Sequence, residues 1–355
     1  VQKKAGQSLR IGGNLMIRVS IVGASGYTGR ELIKILLKHP KVKIAHLTSE
    51  TYKGKRISAV HKRLAGFIDK SFERLNFDKV AQDSDLIFIA LPHGKSQKLV
   101  AEFLKKGKKV IDLSADYRLN DRSLYKRWYG VEHSYPRLLK KAVYGLPEIY
   151  KEEIEKSPLV ANPGCYPTGI ILGVAPLLAY GLGDGNSIIA DAKSGVSGAG
   201  RRLDIAYHFS ECHENLAAYN VGKHRHIPEI EQELSKISKE KITISFTPHL
   251  VPMDRGILST IYLNFKRKVS LDKIWSLYRD YYRKAPFVRI LPKYTFPEVR
   301  DVVETNFCEI GLTVDERTNR IIIITVIDNL VKGGSGQAVQ NMNLMYKFRE
   351  TEGLL

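Results

Sequence analysis

Cysteine is scarce. The chain of 355 residues has three, Cys165, Cys212 and Cys308. An odd number at wide spacing argues against a disulfide framework and for a reducing compartment, so a cytoplasmic protein is expected. No CxxC and no close Cys/His cluster suggests a structural zinc; His224 and His226, at i, i+2 spacing, are a weak metal signal, and no metal is expected. Long apolar runs are missing too. No stretch reaches the ~18 residues of a membrane span, so no membrane association is expected. The first fifteen residues, VQKKAGQSLRIGGNL, lack the apolar centre of a secretory signal. Met16 is followed at once by a strand-like run. The fold is therefore expected to start there, with residues 1–15 a disordered leader, either an upstream-start extension or an expression remnant. There is no internal repeat, no low-complexity linker, and no helix-turn-helix, zinc-finger or RNA-binding motif.

Acidic residues are in deficit, 37 against 56 basic, which leaves a net charge of +19. Three readings fit: a lysine-rich solvated surface of thermophile type, nucleic-acid binding, or attraction to an acidic partner or anionic substrate. The cations are spread along the chain, with pairs such as Lys105-Lys106 and Lys140-Lys141 between structured segments. Composition alone does not choose among the three.

What is present is a large apolar fraction, 43%, enough for a sizeable core, in a chain long enough for two domains. Residues 17-IRVSIVG-23 read as a buried strand, 30-RELIKILLKHP-40 as a helix stopped by Pro40, and 42-VKIAHLTS-49 as a second strand. The runs 85-DLIFIALP-92 and 109-KVIDLS-114 read as further strands around a helix at 95–107. Strands alternating with helices predict a doubly wound parallel sheet. After residue 165 the pattern changes. A Pro/Gly-bounded apolar helix at 166–182 precedes strand-like runs at 187–194, 241–250, 257–265 and 321–328, and 271–286 has helical periodicity. This predicts an antiparallel α+β domain. The last segment, 333–348, has a glycine-rich start and a helical body.

The loop 23-GASGYTG-29 follows a strand and opens a helix, the context in which glycines let backbone N–H groups approach a pyrophosphate. Its spacing is GxxGxxG, so an ordinary tight β–α turn is the competing reading. Gly23, Ser25, Gly26, Tyr27, Thr28 and Gly29 are the candidates. The second strand ends in Thr48 and Ser49 with Lys53, Lys55 and Arg56 close by. Hydroxyls and cations suit a ribose 2′-phosphate, hence NADP(H); Glu50, which suits a 2′-OH, is the counter-signal.

Cys165 sits in 160-VANPGCYPTG-169, where prolines and glycines fix the backbone ahead of a helix. A nucleophilic thiol needs such fixing, and a helix N-terminus favours its thiolate. The competing reading is a small buried residue in a loop. The stretch 223-KHRHIPEI-230 offers a base, with Glu229 three residues beyond His226 and able to orient it; a basic solvated loop fits equally well. The loop 193-KSGVSGAGRR-202 can present N–H donors and the Arg201 guanidinium to an anion, or be a flexible connection.

The motifs GASGYTG, NPGCYPTG, SGVSGAGR, HRHIPEI, PHLVPMDRGI and GGSGQAVQN, in that order, resemble the N-acetyl-γ-glutamyl-phosphate reductases of arginine biosynthesis, relatives of aspartate-semialdehyde dehydrogenase. The resemblance runs from about Met16 to the C-terminus. It implies an NADP-binding domain, residues 16–164 with 329–355, and a catalytic and dimerisation domain, residues 165–328, the C-terminal helix returning to the first. It implies Cys165 as nucleophile and His226 as acid/base, with His224 as the competing histidine. Ser194 and Gly195 fall on the nicotinamide side, Asn329 and Pro92 fall at the cofactor, and Arg201 and His224 fall at the substrate. The archaeal and thermophilic members add one implication. Their substrate, glutamyl or α-aminoadipyl phosphate, can ride on a small acidic amino-group carrier protein, serving arginine or lysine synthesis, which makes such a carrier a candidate partner for the +19 charge. A homodimer or homotetramer is expected. Aspartate-semialdehyde dehydrogenase and a nucleic-acid binder are the remaining alternatives.

Overall fold

Short runs rich in aliphatic residues build the first sheet. In the computed structural model, which describes residues 9–11, 14–201 and 203–355, the run from Ile17 lies in β2 (Asn14–Val22). Its Ile17, Val19 and Ile21 are wholly buried. β1 (Leu9–Ile11) pairs antiparallel with the start of β2. β3 (Val42–Thr48), β4 (Leu86–Ile89), β5 (Lys109–Asp112), β6 (Val143–Tyr144) and β7 (Leu159–Ala161) follow. The order is β1-β2-β4-β5-β7-β6, with β3 also on β2, and all pairs but β1–β2 are parallel. Helices α1 (Tyr27–Lys38), α2 (Gln97–Lys105) and α3 (Pro147–Lys156) connect the strands. Strand order reverses at β2, which has β3 on one side and β4 on the other. In doubly wound sheets that is where a ligand crevice opens, at the carboxyl ends of the strands.

The expected leader falls largely outside the described residues. Its described part departs from the expectation of disorder, because the backbone of Leu9–Ile11 finds partners on β2.

The chain divides into two units, Val1–Pro163 with Ser335–Leu355, and Gly164–Gly334. The second break comes later than the expected 328/329. Residues 328–334 are tied into the second unit, where Asp328 pairs with Arg255 at 3.3 Å and Asn329 accepts a bond from the Gly256 N–H at 2.7 Å. The C-terminal helix Gly336–Met345 does belong to the first unit. All ten of its residues are buried, and its amides have partners there. Gln337 and Asn341 donate to the Gly145 carbonyl at 2.8 and 2.9 Å.

The second unit holds a seven-stranded sheet in the order β12-β13-β14-β11-β8-β10-β9. The strands are β8 (Ile189–Gly195), β9 (Ala217–Ala218), β10 (Ser245–Val251), β11 (Ile257–Asn264), β12 (Val288–Ile290), β13 (Cys308–Asp315) and β14 (Arg320–Ile327). The expectation of an antiparallel domain holds for β8-β11-β14-β13. It fails for β10 on β8 and β12 on β13, which are parallel. β10 returns beside β8 only after the helix α5 (Ile227–Ser238), and such a crossover brings a strand back in the same direction.

α4 (Cys165–Ala179) lies across β11 and β14. Close approach is possible because Gly169 and Gly173 carry no Cβ. At Gly173 a Cβ would lie 2.9 Å from Thr325 and 3.0 Å from Ile261. Pro176 sits inside α4 and has no N–H for the Leu172 carbonyl. The Tyr282 hydroxyl donates to that carbonyl instead, at 2.6 Å, and Tyr278, from α6 (Leu271–Tyr281), donates to Gly173 at 2.6 Å. The opposite face of the sheet is less covered. Leu258, Tyr262, Ile322 and Ile324 are only half-buried there, and Ile189 is exposed.

Candidate active site

The first glycine loop is shaped by its neighbours. Gly23 has φ +89°, a conformation that suits glycine, and a Cβ there would lie 2.5 Å from the Ala90 carbonyl oxygen. A Cβ on Gly29 would strike the backbone of Ala24 at 2.5 Å, so Gly29 lets α1 close onto the turn. Gly26, the N-cap of α1, differs: a Cβ there would meet nothing within 4 Å, and no side chain caps the helix. An open helix N-terminus lined by glycine fits a dinucleotide pyrophosphate. The loop is pinned behind. Gly23 and Ala24 donate to the Thr48 carbonyl at 3.2 and 2.8 Å. The Ser25 and Ser49 hydroxyls are 2.9 Å apart, and Ser335 donates to the Thr28 carbonyl at 2.9 Å. Tyr27 is the first residue of α1, and Arg30 lies over its ring.

At the end of β3, buried Ser49 accepts from the Tyr52 N–H at 3.2 Å. Glu50 accepts from Leu75 N–H and faces Arg74 at 3.8 Å. Arg56 is exposed and paired with Asp69 at 3.4 Å. Pro92 is exposed just past β4, and its carbonyl accepts from the Lys95 N–H. The turn that follows is clamped: Asp116 accepts from the Gly94 and Ser96 N–H groups at 2.6 and 3.0 Å. Behind it Asp112 is fully buried and bonded to the Ser96 and Ser114 hydroxyls. Burial, and then the charge of Asp116, push its carboxyl up to about 7.

In the second unit Cys165 is the first residue of α4, and Gly164 is the N-cap. The thiol residue is half-buried. Two contacts fix its backbone. Buried Glu229 accepts from the Gly164 N–H at 2.7 Å, and the backbone of Gly333 lies so close that a Cβ there would sit 2.8 Å from the Cys165 Cβ. Glu229, expected to orient His226, thus reaches the backbone just before Cys165. His226 is the N-cap of α5, buried, and its N–H donates to Nδ1 of His224 at 3.1 Å. The two rings are 4.7 Å apart. Burial, and then Arg225, push His224 down to about 3, so it stays neutral and its Nδ1 remains an acceptor.

The sequence reading missed two tyrosines here. Tyr166 packs edge-on against His224 and His226, with centroids at 5.5 and 6.0 Å. Its hydroxyl meets that of Tyr219 at 2.9 Å. Burial raises both phenols above their ordinary range. Their position beside NPGC and KHRH was the available signal. Gly333 was quoted only as part of a motif.

The loop after β8 is less available to an anion than its composition suggested. The N–H groups of Gly195, Val196 and Ser197 donate to the carbonyls of Gly256, Met253 and Asp254 at 2.9, 2.9 and 3.0 Å. A Cβ on Gly195 would lie 2.6 Å from the Asp254 carbonyl oxygen. Asn329 closes this corner by donating to Ser197 at 3.1 Å. Arg201 is exposed beyond it. Among the described residues no group of three or more His, Cys, Asp or Glu could hold a metal.

Two family profiles match the chain: "Semialdehyde dehydrogenase, NAD binding domain" over residues 18–157, and "Semialdehyde dehydrogenase, dimerisation domain" over residues 165–329. N-acetyl-γ-glutamyl-phosphate reductases from Geotalea daltonii and Pelotomaculum thermopropionicum are 54% and 51% identical over 340 residues, 96% of this chain and 98% of each relative. The chain belongs to the N-acetyl-γ-glutamyl-phosphate reductase family. As a member of this reductase family it is an NADP-dependent enzyme acting on acyl phosphates. Solved structures of aspartate-semialdehyde dehydrogenases share the fold. One from Vibrio cholerae has a TM-score of 0.73 at 18% identity, covering 94% of this chain and 99% of its own. One with NADP from Candida albicans has 0.69 at 16%, covering 93% and 98%. The reductase family and the fold thus follow from separate comparisons.

Proposed function

We propose that this enzyme reduces N-acetyl-γ-glutamyl phosphate to the semialdehyde, with release of phosphate, in arginine biosynthesis. The observation that carries the reading is the setting of Cys165, first residue of a helix, with Glu229 and Gly333 fixing its backbone. A thiolate there gains from the positive end of the helix. Cys165 attacks the acyl carbonyl, the carbon–oxygen bond to phosphate breaks, and phosphate leaves with the electron pair, giving a thioester. NADPH, when bound, supplies the hydride that reduces that thioester. His226 protonates the resulting oxygen and takes the proton back as the carbon–sulfur bond breaks, which frees the aldehyde and restores the thiolate. His224 is held neutral and positions His226 by accepting its N–H.

In this reading Gly23, Ser25, Gly26, Tyr27, Thr28 and Gly29 hold the pyrophosphate. Ser49 and Arg56 serve the 2′-phosphate, and Pro92, Ser194, Gly195 and Asn329 serve the nicotinamide side. Arg201 serves the anionic substrate. A Cys165→Ser enzyme should lose roughly three orders of magnitude or more in turnover; near-normal turnover would overturn the thioester scheme.

The charge of +19 favours a second reading, in which glutamyl or α-aminoadipyl phosphate arrives on an acidic amino-group carrier protein, for arginine or lysine synthesis. Electrostatic steering then makes kcat/KM fall steeply with salt for the carrier-bound substrate and little for a free N-acetylated one. Equal slopes would remove this reading. The half-exposed aliphatic face of the second sheet supports a homodimer, or a homotetramer built from it. No helix among the described residues is long and apolar enough to cross a membrane.

A further inference from the structure

Four polar side chains are packed together under the turn that follows β4. Asp112 ends β5, and Ser96, Ser114 and Asp116 close around it; all four are buried. Ser96 Oγ lies 3.0 Å from Asp112 Oδ2, 2.9 Å from Asp116 Oδ2 and 2.8 Å from Ser114 Oγ. Ser114 Oγ lies 2.8 Å from Asp112 Oδ2. Two backbone donors complete the cluster: Ser114 N–H bonds Asp112 Oδ1 at 3.1 Å, and Asp116 N–H bonds Ser114 Oγ at 3.0 Å.

The hydrogens can be counted. Four oxygen–oxygen contacts at bonding distance join two hydroxyls and two carboxyl groups. The hydroxyls bring only two hydrogens. With both acids ionised, half of the contacts would set lone pair against lone pair, and two buried negative charges would compete for one hydroxyl. A hydrogen on Asp112 supplies a third bond. Asp112 then donates to Ser96, Ser96 to Asp116, and Ser114 to Asp112. Asp116 is the acceptor of the pair, since the Gly94 N–H, the Ser96 N–H and the Ser96 hydroxyl are all aimed at it.

The surroundings favour the same arrangement. Ile89 and Ala161 flank Asp112 on the neighbouring strands, and the C-terminal helix packed on β5 carries no charged residue. On α2, Lys98 and Lys105 are exposed, and Glu102 pairs with Lys105. Tyr117, Tyr125 and His133 are the other titratable groups facing the two acids; burial raises both phenols and lowers the histidine. Arg118, next along the chain, donates to the Asn162 and Leu113 carbonyls, and His93 accepts from the Ala115 N–H. Burial, and then the charge of Asp116, push the Asp112 carboxyl up to about 7, in keeping with the hydrogen count.

The turn held by this cluster borders the glycine loop. Gly94, at φ +78°, is its left-handed residue. A Cβ on Gly23 would lie 2.5 Å from the Ala90 carbonyl oxygen and 2.8 Å from the Leu91 side chain, so the entry to the turn is one wall of the crevice at the strand ends. We propose that Asp112 is a positioning residue for the cofactor, holding the 92–96 turn beside the glycine loop only while its carboxyl carries a proton. This rests on the placement of the dinucleotide at residues 23–29 given above. Once the proton is lost, two carboxylates share one hydroxyl and the turn loosens.

The test measures NADPH affinity by fluorescence titration, with no acyl phosphate present, from pH about 6 to about 9. Full-length wild type is compared with Asp112→Asn, and exchange of the Gly94 and Ser96 amides, corrected for intrinsic rates, is followed over the same range. In the wild type the dissociation constant should rise about tenfold or more as pH passes 7, with both amides losing protection. The Asn variant keeps an N–H to donate to Ser96, so its affinity should hold across the range. Titration of the ligand's own phosphate is common to both proteins and cancels in their ratio. The proposal is overturned if the two affinities follow the same pH course, or if the wild-type amides stay equally protected throughout; the exchange readout needs no variant. Coinciding affinities with amides that do lose protection would place the fault in the cofactor's assigned position, whereas lasting protection would place it in the clamp. Neither readout involves the acyl phosphate, so a wrong substrate reading leaves both intact.

Discussion

Two helices of this protein begin in the same way and end up doing different things. α1 and α4 each follow a strand, and each starts after an N-cap glycine, Gly26 and Gly164, with no side-chain cap and extended backbone. At Gly26 the space beyond the Cα is empty of protein. At Gly164 the N–H is taken by Glu229, and Gly333 presses on the next residue. The first arrangement leaves a positive helix end for a bound anion; the second uses the protein's own groups to aim one side chain. A glycine-rich helix start is therefore ambiguous by composition, and what packs against it settles its use.

Substitutions at the two starts separate these roles. After Cys165→Ser, the larger effect is expected from Gly333→Ala, whose Cβ has no room beside Cys165. Displacing Cys165, the proposed nucleophile, should lower kcat by about a hundredfold while the directly measured NADPH affinity stays within about twofold of wild type. Gly26→Ala should do the reverse. Its Cβ meets no protein atom, so stability should change by less than about 1 kcal/mol, while NADPH affinity, read by fluorescence titration, weakens about tenfold from loss of close backbone approach. A loss of kcat in Gly26→Ala with unchanged cofactor affinity would break the distinction.

The two units also hold buried ionisable groups of opposite sign, which gives the smallest expected effect. Asp112 has its carboxyl raised from 3.8 to about 7. The unfolded chain releases that proton first, so the stabilisation is fully present at pH below about 3.8 and is lost as pH rises toward 7, by at most roughly 4 kcal/mol. His224 is lowered from 6.5 to about 3. The unfolded chain takes up that proton first, so stability is lost as pH falls from 6.5 toward 3. Denaturant titrations across pH should show Asp112→Asn flattening the first slope and His224→Asn the second. Variants with the wild-type slopes would show that neither group titrates on unfolding.

Cys165 and the 23–29 loop were legible because each lies where a regular period stops at a cluster of glycine and proline, and such clusters report local backbone geometry. The antiparallel reading of the second unit went astray at β10 and β12. Alternating aliphatics specify a strand and its buried face, but direction depends on what the connections do, and the crossover through α5 brings β10 back parallel to β8. β13 was passed over: its buried residues, Cys308 to Leu312, run through Glu309 and Gly311 without a strand-like period. The 193–202 loop looked like an anion cradle by composition, yet its first N–H groups are spent on Gly256, Met253 and Asp254, partners more than fifty residues away in sequence.

The amino-acid sequence by itself determined the element types, the thiol at the head of a helix and the glycine turn, because these follow from backbone restrictions acting over a few residues. Tertiary structure alone decided that Glu229 serves Gly164, that Gly333 sets Cys165, that Tyr282 replaces the bond Pro176 removes, and that Gly26 is left open. Each depends on groups distant along the chain meeting within bonding distance, and local preferences carry no information about which distant group arrives.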